Sequence, residues 1–232
     1  MVPASCSHCH RTTQVEPVER INTVQDPELK ARVRDGSLFV WECPYCGTRN
    51  LLKYQTLYHD PEARLMVWLL PDGQEAPKEV EEAVKELEGY TLRRVREVGD
   101  LVEKVNIHEA GLDDVAMEMC KWVTRRELSA KNPEMMDAKL RFLRMDGPDN
   151  EMVLAFPLNG QMQVVNIGFN VYEDARGILG RNPSIDIGNV QFLLHGIRIR
   201  RIRFYLIRPR RHHPQHRFGD LDAAAGKAEE KG

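Results

Sequence analysis

Four cysteines in the first quarter of the chain are the residues best suited to chemistry. They form two C-x-x-C pairs, Cys6 with Cys9 and Cys43 with Cys46. Two thiolates three positions apart can face one ion when the turn between them is tight, and a second pair supplies the other two corners of a tetrahedron. The spacing therefore predicts a metal site with four thiolate ligands, and Zn²⁺ is the ion that we expect there.

The two turns that carry these pairs differ in composition. In the second turn, Pro44 fixes a backbone dihedral, and Gly47 can take the positive φ that lets N–H groups point at sulfur. In the first turn, His10 stands at the equivalent position, and histidine tolerates a left-handed conformation less well than glycine. We expect Gly47, His8 and His10 beside the metal as stabilising neighbours, and either histidine as an alternative ligand.

Other uses of cysteine compete with structural zinc. A disulfide framework is disfavoured because five cysteines in a signal-free chain of this length point to a reducing compartment. The C-x-x-C-H pattern that begins at Cys6 matches c-type haem attachment, which normally needs an exported chain. Cys43 and Cys46 also match a thiol redox pair, but the strand pattern after them offers no helix N-terminus to activate a thiolate. A closed four-thiolate site has no open position for substrate, so we identify no catalytic residue.

Composition and charge exclude several classes of protein. The 232 residues are 42% hydrophobic, which excludes a wholly disordered chain. The formal net charge of -2 argues against a protein that binds nucleic acid with its whole surface. Neither an apolar run of about 18 residues nor a secretory signal is visible. We therefore expect a cytoplasmic protein without a membrane span, and the sequence identifies no small-molecule substrate.

The elements around the cysteines predict a small lobe that holds the metal. Strand patterns rich in β-branched and aromatic residues cover 37–42, 51–58 and 64–70. Between the two cysteine pairs, residues 26–34 predict a short helix with Asp26 as its cap and Pro27 at its first position. We expect a zinc-ribbon-like lobe with an inserted short helix over residues 1–75.

The remainder of the chain predicts a second, α+β lobe over residues 76–208. Apolar residues at helical spacing predict a long helix over 112–128, and Asn159-Gly160 between alternating strands predicts a hairpin. The fold class is thus α+β, with a helical and antiparallel β-meander lobe after the zinc-ribbon-like lobe, and residues 209–232 as a disordered tail. The predicted helices and strands of the second lobe are 77–90, 91–98, 100–107, 112–128, 138–145, 151–158, 161–169 and 191–207.

An arginine-rich segment near the end could bind an anion. Its arginines alternate with isoleucine and phenylalanine, and no acid occurs between Asp186 and Asp220. A strand of this pattern would display a ladder of guanidinium groups that could meet phosphates. Because the rest of the chain must be acidic, we favour a protein partner, self-association or internal acids, and keep nucleic-acid binding through residues 197–211 as an alternative. The candidate anion-binding residues are Arg198, Arg200, Arg201 and Arg203.

The triplet His59-Asp60-Pro61 is a further candidate. A histidine oriented by a carboxylate can act as a base. Such a triplet after a strand is more typical of a turn, and we expect a turn here.

The chain resembles the CpXC family of bacterial and archaeal proteins. The likeness lies in INTVQDPELKARVRDGSLFVWECPYCG at 21–47 and in MVWLLP at 66–71, with weaker similarity that extends to residue 175. This resemblance implies a zinc-binding domain with Cys6, Cys9, Cys43 and Cys46 as ligands. The first turn departs from the family pattern, because Ser7 stands in place of proline and His10 in place of glycine.

Overall fold

The computed structural model describes residues 1–71 and 88–182, and these residues form a mixed α+β structure, which confirms the predicted class. They divide into two compact units, a first unit of residues 1–71 and 88–105 and a second unit of residues 106–182. Among them, no helix is long and apolar enough to cross a membrane. Their α-helices are α1 (Pro27–Arg34), α2 (Val98–Glu109), α3 (Asp114–Lys131) and α4 (Phe169–Arg181).

Two short antiparallel hairpins in the first unit carry the cysteines. β1 (Val2–Ser5) pairs with β2 (Thr12–Val15), and Ser5 lies opposite Thr12. β4 (Val40–Glu42) pairs with β5 (Arg49–Leu51). Each hairpin is closed by a turn that contains one C-x-x-C pair, so the strands determine where each pair of sulfurs points.

A four-stranded mixed sheet forms the core of the first unit. β3 (Arg20–Asn22) runs parallel to β6 (Thr56–Asp60), which is antiparallel to β7 (Leu65–Leu69). β8 (Thr91–Val95) completes the order β3-β6-β7-β8 and is parallel to β7. All five residues of β7 are buried, as expected for a central strand covered on both faces.

The inserted helix α1 forms where the sequence predicts it. It begins with Pro27 directly after Asp26, and the Asp26 side chain makes no capping hydrogen bond. Pro27 has a φ close to the helical value and lacks the N–H that a first helical residue leaves unpaired, so the start does not depend on the cap. After the helix, Gly36 takes a φ of 72° and turns the chain.

Two strand predictions in this unit are correct only in part. The segment predicted as a strand over 37–42 begins as a 3-10 helix, Ser37–Phe39, because Gly36 and the Asp35 carboxylate, which accepts from the Ser37 N–H, continue the turn. The predicted strand 51–58 is divided between β5 and β6. The chain between them leaves the hairpin and places Tyr54 against Phe39, with ring centroids 5.3 Å apart.

An ion pair with a buried carboxylate fastens α1 to the sheet. Asp60, on β6, is 2% exposed, and its Oδ2 lies 2.8 Å from Lys30 Nζ on α1. Its Oδ1 accepts from the Ala63 N–H at 3.1 Å, and the Tyr58 hydroxyl lies 3.4 Å from Oδ2. Burial by itself would raise the pKa of Asp60, but the hydrogen bonds from Lys30 and Ala63 outweigh burial and hold that pKa below its ordinary value.

The second unit packs helices on a three-stranded antiparallel meander. β9 (Arg141–Asp146), β10 (Glu151–Leu158) and β11 (Gln161–Ile167) lie in the order β11-β10-β9, as the sequence predicts. Asn159 and Gly160 have φ values of 52° and 72°, the paired left-handed conformations of a tight hairpin turn. The core of this unit includes Met117, Cys120, Phe142, Met152, Leu154, Ile167 and Tyr172.

Helix α3 begins at a side-chain cap. Asp113 Oδ1 accepts from the Ala116 N–H at 2.9 Å, and the Asp113 N–H donates to the Tyr172 hydroxyl at 2.6 Å. The predicted helix over 112–128 is therefore confirmed, with a start two residues later and an end three residues later than expected. The acids at the start favour the helix because they lie at the positive end of its dipole.

Several predictions fall on residues outside the described part of the chain. They are the boundary between 75 and 76, most of the helix over 77–90, the strand over 191–207 and the tail from 209 onward. The two units that the structure does describe divide between Val105 and Asn106. β8 and the start of α2 belong to the first unit because Val95, Val98 and Leu101 are buried in its core.

The Lys30–Asp60 pair gives a stability prediction. Lys30→Met should lower the free energy of unfolding by roughly 1–3 kcal/mol at neutral pH, because it leaves a buried carboxylate without its cation. Adding Asp60→Asn to Lys30→Met should recover part of this loss. Because the pKa of Asp60 is lowered by folding, its contribution should be complete above a pH of about 4 and lost as the pH falls further. Urea unfolding of the single and double variants would measure this, and a double variant less stable than Lys30→Met would contradict the account.

Candidate metal centre

The first cysteine turn is closed by two backbone hydrogen bonds. The Cys6 N–H donates to the Arg11 carbonyl at 3.0 Å, and the His10 N–H donates to the Cys6 carbonyl at 3.0 Å. The antiparallel pairing of β1 with β2 continues directly from these bonds. The turn is therefore a rigid extension of its hairpin.

The second turn repeats the same pattern thirty-seven residues later. The Cys43 N–H donates to the Thr48 carbonyl at 2.9 Å, and the Gly47 N–H donates to the Cys43 carbonyl at 2.9 Å. Gly47 has a φ of 70°, and His10 at the equivalent position has a φ of 58°. His10 thus adopts the left-handed conformation that Gly47 has in the second turn. The two turns therefore follow the same backbone path despite their different sequences.

The four cysteine sulfurs of these turns form one cluster. All four lie within 4.8 Å of one another, and the distances from Cys6 to Cys46 and from Cys9 to Cys43 are both 3.6 Å. A tetrahedral ion with sulfur ligands at about 2.3 Å requires sulfurs about 3.8 Å apart, whereas a disulfide requires about 2.05 Å. All four cysteines are free. The cluster therefore has the spacing of a metal site, and it could hold an ion.

Polar groups of the turns surround the sulfurs. The His8 N–H donates to Cys6 Sγ at 3.4 Å, and the Asn50 side-chain amide lies 3.7 Å from the same sulfur. The Thr48 hydroxyl lies 3.3 Å from Cys46 Sγ. N–H groups directed at sulfur disperse the negative charge of a thiolate. The Thr48 hydroxyl accepts from the Cys46 thiol and can donate to the same sulfur once it is ionised, so these groups together support a site with four thiolates.

Asn50 joins the two turns and is a residue that the sequence analysis does not identify. It lies on β5, is 5% exposed, and donates from Nδ2 to the Thr48 carbonyl at 2.8 Å. Its Oδ1 accepts from both the N–H and the hydroxyl of Ser7 at 2.8 Å. The sequence does show an amide side chain four residues after Cys46, and this could have marked Asn50 as a neighbour of the metal. It does not show that Ser7 of the other turn lies opposite Asn50.

The electrostatic environment differs among the sulfurs. The Thr48 hydroxyl and backbone lower the pKa of Cys46 to about 5, and the Cys9 backbone lowers the pKa of Cys6. The Arg11 backbone lowers the pKa of Cys9, but burial and the neighbouring sulfurs outweigh it and raise that pKa to about 11. Without a cation, the cluster favours a mixture of thiolates and thiols, because adjacent negative charges repel. A divalent cation would remove that penalty and favour the fully ionised set.

Apolar and aromatic contacts support the cluster from outside. Cys6 and Cys43 pack with Ala4 and Trp41 in a small buried group of side chains. At the surface, the guanidinium of Arg11 lies 5.0 Å from the ring centroid of Tyr45, which links the first turn to the second. These contacts help to hold the two hairpins together, although they bury only a small apolar surface.

The other sequence candidates are placed differently. His8 and His10 are exposed, and the described group of candidate ligand atoms contains sulfur only. Asp60 pairs with Lys30, whereas His59, the preceding residue of β6, lies 3.1 Å from the Tyr90 hydroxyl. The turn expected at this triplet therefore begins only at Pro61, because both His59 and Asp60 belong to the strand. Neighbouring strand residues point to opposite faces, so this carboxylate does not orient the histidine.

Cys120 and the arginine ladder stand apart from the cluster. Cys120 lies in the core of the second unit, where burial raises the pKa of its thiol to about 12. Arg198, Arg200, Arg201 and Arg203 lie outside the described residues.

Comparison with known proteins identifies the family. The family model described as CpXC protein matches residues 4–121, which is about half of the chain and includes all four clustered cysteines. The β-rich part after residue 139, where weaker similarity was expected, lies outside the match. No curated protein and no solved structure matches the chain. Because the match covers half of the chain and the whole cysteine cluster, the chain belongs to the CpXC family.

Proposed function

We propose that this protein binds one Zn²⁺ through Cys6, Cys9, Cys43 and Cys46, and that the ion has a structural role. The observation that carries the proposal is the mutual spacing of the four sulfurs, which agrees with a tetrahedral thiolate site. Two hairpins that bring their cysteine turns together in this way form a zinc-ribbon-like arrangement.

The donor set selects the metal. Tetrahedral sites with four thiolates hold zinc or iron, and hard cations such as Mg²⁺ or Ca²⁺ prefer oxygen ligands. Four protein ligands leave no open position, so such an ion would not activate water. The site also requires reduced thiols, which supports a cytoplasmic location.

A structural role follows from the size of the hairpins. Their strands have only three or four residues, and isolated two-stranded hairpins are marginally stable in water. Few apolar side chains pack behind the cysteines. Structural zinc contributes roughly 10–16 kcal/mol in small zinc-binding peptides, more than so small a core can supply.

A thiol redox enzyme that uses Cys43 and Cys46 is the alternative for the same residues. The low pKa of Cys46 would suit a redox thiol. However, this pair is followed by Gly47 and strand β5, and the sulfurs of Cys6 and Cys9 lie within 4.8 Å of both of its sulfurs, which a two-cysteine redox site would not need. Nucleic-acid binding through residues 197–211 rests on sequence pattern alone.

The exposed end of the cysteine turns supports a role in protein interaction. Tyr45 is 53% exposed, and Arg11 lies over its ring. Tyrosine and arginine are enriched at the energetic centres of protein interfaces, and these two residues lie in or directly beside the cysteine turns. We propose that this surface contacts a protein partner or a second copy of the chain.

Metal analysis tests the zinc proposal directly. Untagged protein should contain about one zinc per chain, and the double variant Cys43→Ser/Cys46→Ser should contain none because it lacks two of the four ligands. Cys120→Ser is the matched control, since it removes a thiol outside the cluster, and its zinc content should be unchanged. Elemental analysis together with thiol titration before and after chelation would measure this.

Different outcomes would refute different parts of the proposal. Iron in place of zinc would refute the identity of the ion but keep the site. A native metal-free protein with a reversible Cys43–Cys46 disulfide would favour the redox alternative. A far-UV spectrum and melting temperature unchanged by complete zinc removal would refute the structural role.

Asn50 provides a second test, at a residue that is not itself a ligand. Asn50→Ala should weaken zinc binding by about 10- to 100-fold, because it removes the amide near Cys6 and the link between Ser7 and Thr48. Competition with a chromophoric chelator would measure the affinity. Asn166→Ala is the matched control, since Asn166 bonds Glu151 in the second unit, and an equal loss of affinity in both variants would contradict this role for Asn50.

The interaction surface makes a prediction about self-association. If Tyr45 contacts a second copy, the mass of the zinc-loaded protein in sedimentation experiments should rise with concentration, and Tyr45→Ala should reduce that rise. The exposed Val24→Ala is a control, because it removes a different apolar side chain from the surface of the same unit. A monomeric mass at every concentration would exclude self-association through this surface.

A further inference from the structure

The four cysteines are unequally exposed to solvent, and the contact of the Cys46 sulfur with Thr48 lies at the surface. Cys6 and Cys43 are 1% exposed and Cys9 is half-buried, whereas Cys46 is exposed. All four would carry similar charge in a metal-bound cluster, so access decides which sulfur a dissolved reagent meets first. That sulfur is Cys46.

Cys46 also has a nearby sulfur with which it could form a disulfide. Its Sγ lies 3.6 Å from the Sγ of Cys6, which belongs to the other hairpin. The remaining two sulfurs, of Cys9 and Cys43, are likewise 3.6 Å apart across the two hairpins. An exposed thiolate next to a second thiolate is the arrangement found in redox-sensing cysteines.

We propose that the cysteine cluster is a peroxide-sensitive metal switch, in which oxidation begins at Cys46, joins Cys46 to Cys6 and releases the ion. This inference rests on the proposed zinc binding. It adds a regulatory property to that site, one that a purely structural metal would not require.

The reaction consumes one peroxide and two thiolates. The Cys46 thiolate attacks one oxygen of hydrogen peroxide, the O–O bond breaks, hydroxide leaves and a sulfenic acid forms on Cys46. The Cys6 thiolate then attacks the Cys46 sulfur, the S–OH bond breaks and a second hydroxide leaves. Sulfur loses two electrons in total, and peroxide gains them.

Loss of these two ligands leaves only Cys9 and Cys43 for the ion. Two thiolates cannot complete a tetrahedral site, so the ion would dissociate to any competing chelator. A thiol reductant would reverse the disulfide by exchange and restore the four ligands. Metal release by oxidant would thus be reversible, because a reductant restores the metal-binding cluster.

The experiment uses full-length zinc-loaded protein whose metal content is measured first. Hydrogen peroxide is added at less than one equivalent, and zinc release is followed with a coloured chelator. Dimedone is present in parallel samples to trap sulfenic acid. Trypsin leaves Cys6 with Cys9 on one peptide and Cys43 with Cys46 on another, so fragmentation spectra are needed to assign each modified sulfur.

We expect dimedone on Cys46, a Cys6–Cys46 disulfide without it, and one zinc released for each disulfide formed. Thr48→Val should accelerate release several-fold, because the Cys46 sulfur loses its hydroxyl hydrogen bond and becomes more nucleophilic. Thr12→Val is the control, since the Thr12 hydroxyl bonds Ser5, and its rate should be unchanged. A thiol reductant with added zinc should restore binding.

Two results would overturn the switch while zinc binding stands. One is zinc-loaded protein that keeps all of its metal after the added peroxide has been consumed. The other is first oxidation at a sulfur other than Cys46. Protein that contains no zinc at the start would instead refute the proposed function, and the switch with it.

Discussion

The meeting of four sulfurs from two hairpins is the constraint on which the cysteine-bearing part of the first unit depends. Each hairpin places its cysteine pair by two backbone hydrogen bonds, and neither hairpin has enough apolar surface to be stable alone. The 3.6 Å sulfur distances run between the hairpins, from Cys6 to Cys46 and from Cys9 to Cys43. The same contact therefore builds the candidate metal centre and joins the N-terminal hairpin to the rest of its unit.

The chain between the two hairpins has to bring the second cysteine pair back beside the first. The four-stranded sheet fixes the path of that chain. Strand β3 follows the first hairpin and enters the sheet beside β6, while α1 lies between β3 and the second hairpin. The ion pair from Lys30 to the buried Asp60 fastens this helix to β6. A pair of this kind adds little net stability compared with apolar packing, but the buried carboxylate would be left without its cation if the helix moved away.

Without a cation, the four cysteines of the cluster do not favour the same charge state. Hydrogen bonds from Thr48 favour the thiolate form of Cys46, whereas burial and adjacent sulfurs favour the neutral form of Cys9. A cation would resolve this conflict, which agrees with the metal centre proposed from the spacing of the four sulfurs. The exposure of Cys46 then gives the site its asymmetry, since the other three sulfurs are at least partly covered.

Local signals in the sequence by themselves determined the cysteine set, helix α1, the Asn159-Gly160 hairpin and the α+β class, because spacing, proline position and turn residues act over a few neighbours. Contacts between distant residues could not be predicted in this way. The 3-10 turn before β4, the division of 51–58 into two strands and the role of Asn50 all depend on what lies opposite in space. Only the tertiary structure decided that His10 repeats the glycine conformation of Gly47 and that Cys46 is the exposed cysteine of the four. Backbone path and solvent access follow from packing across the two hairpins, and a residue type does not encode either one.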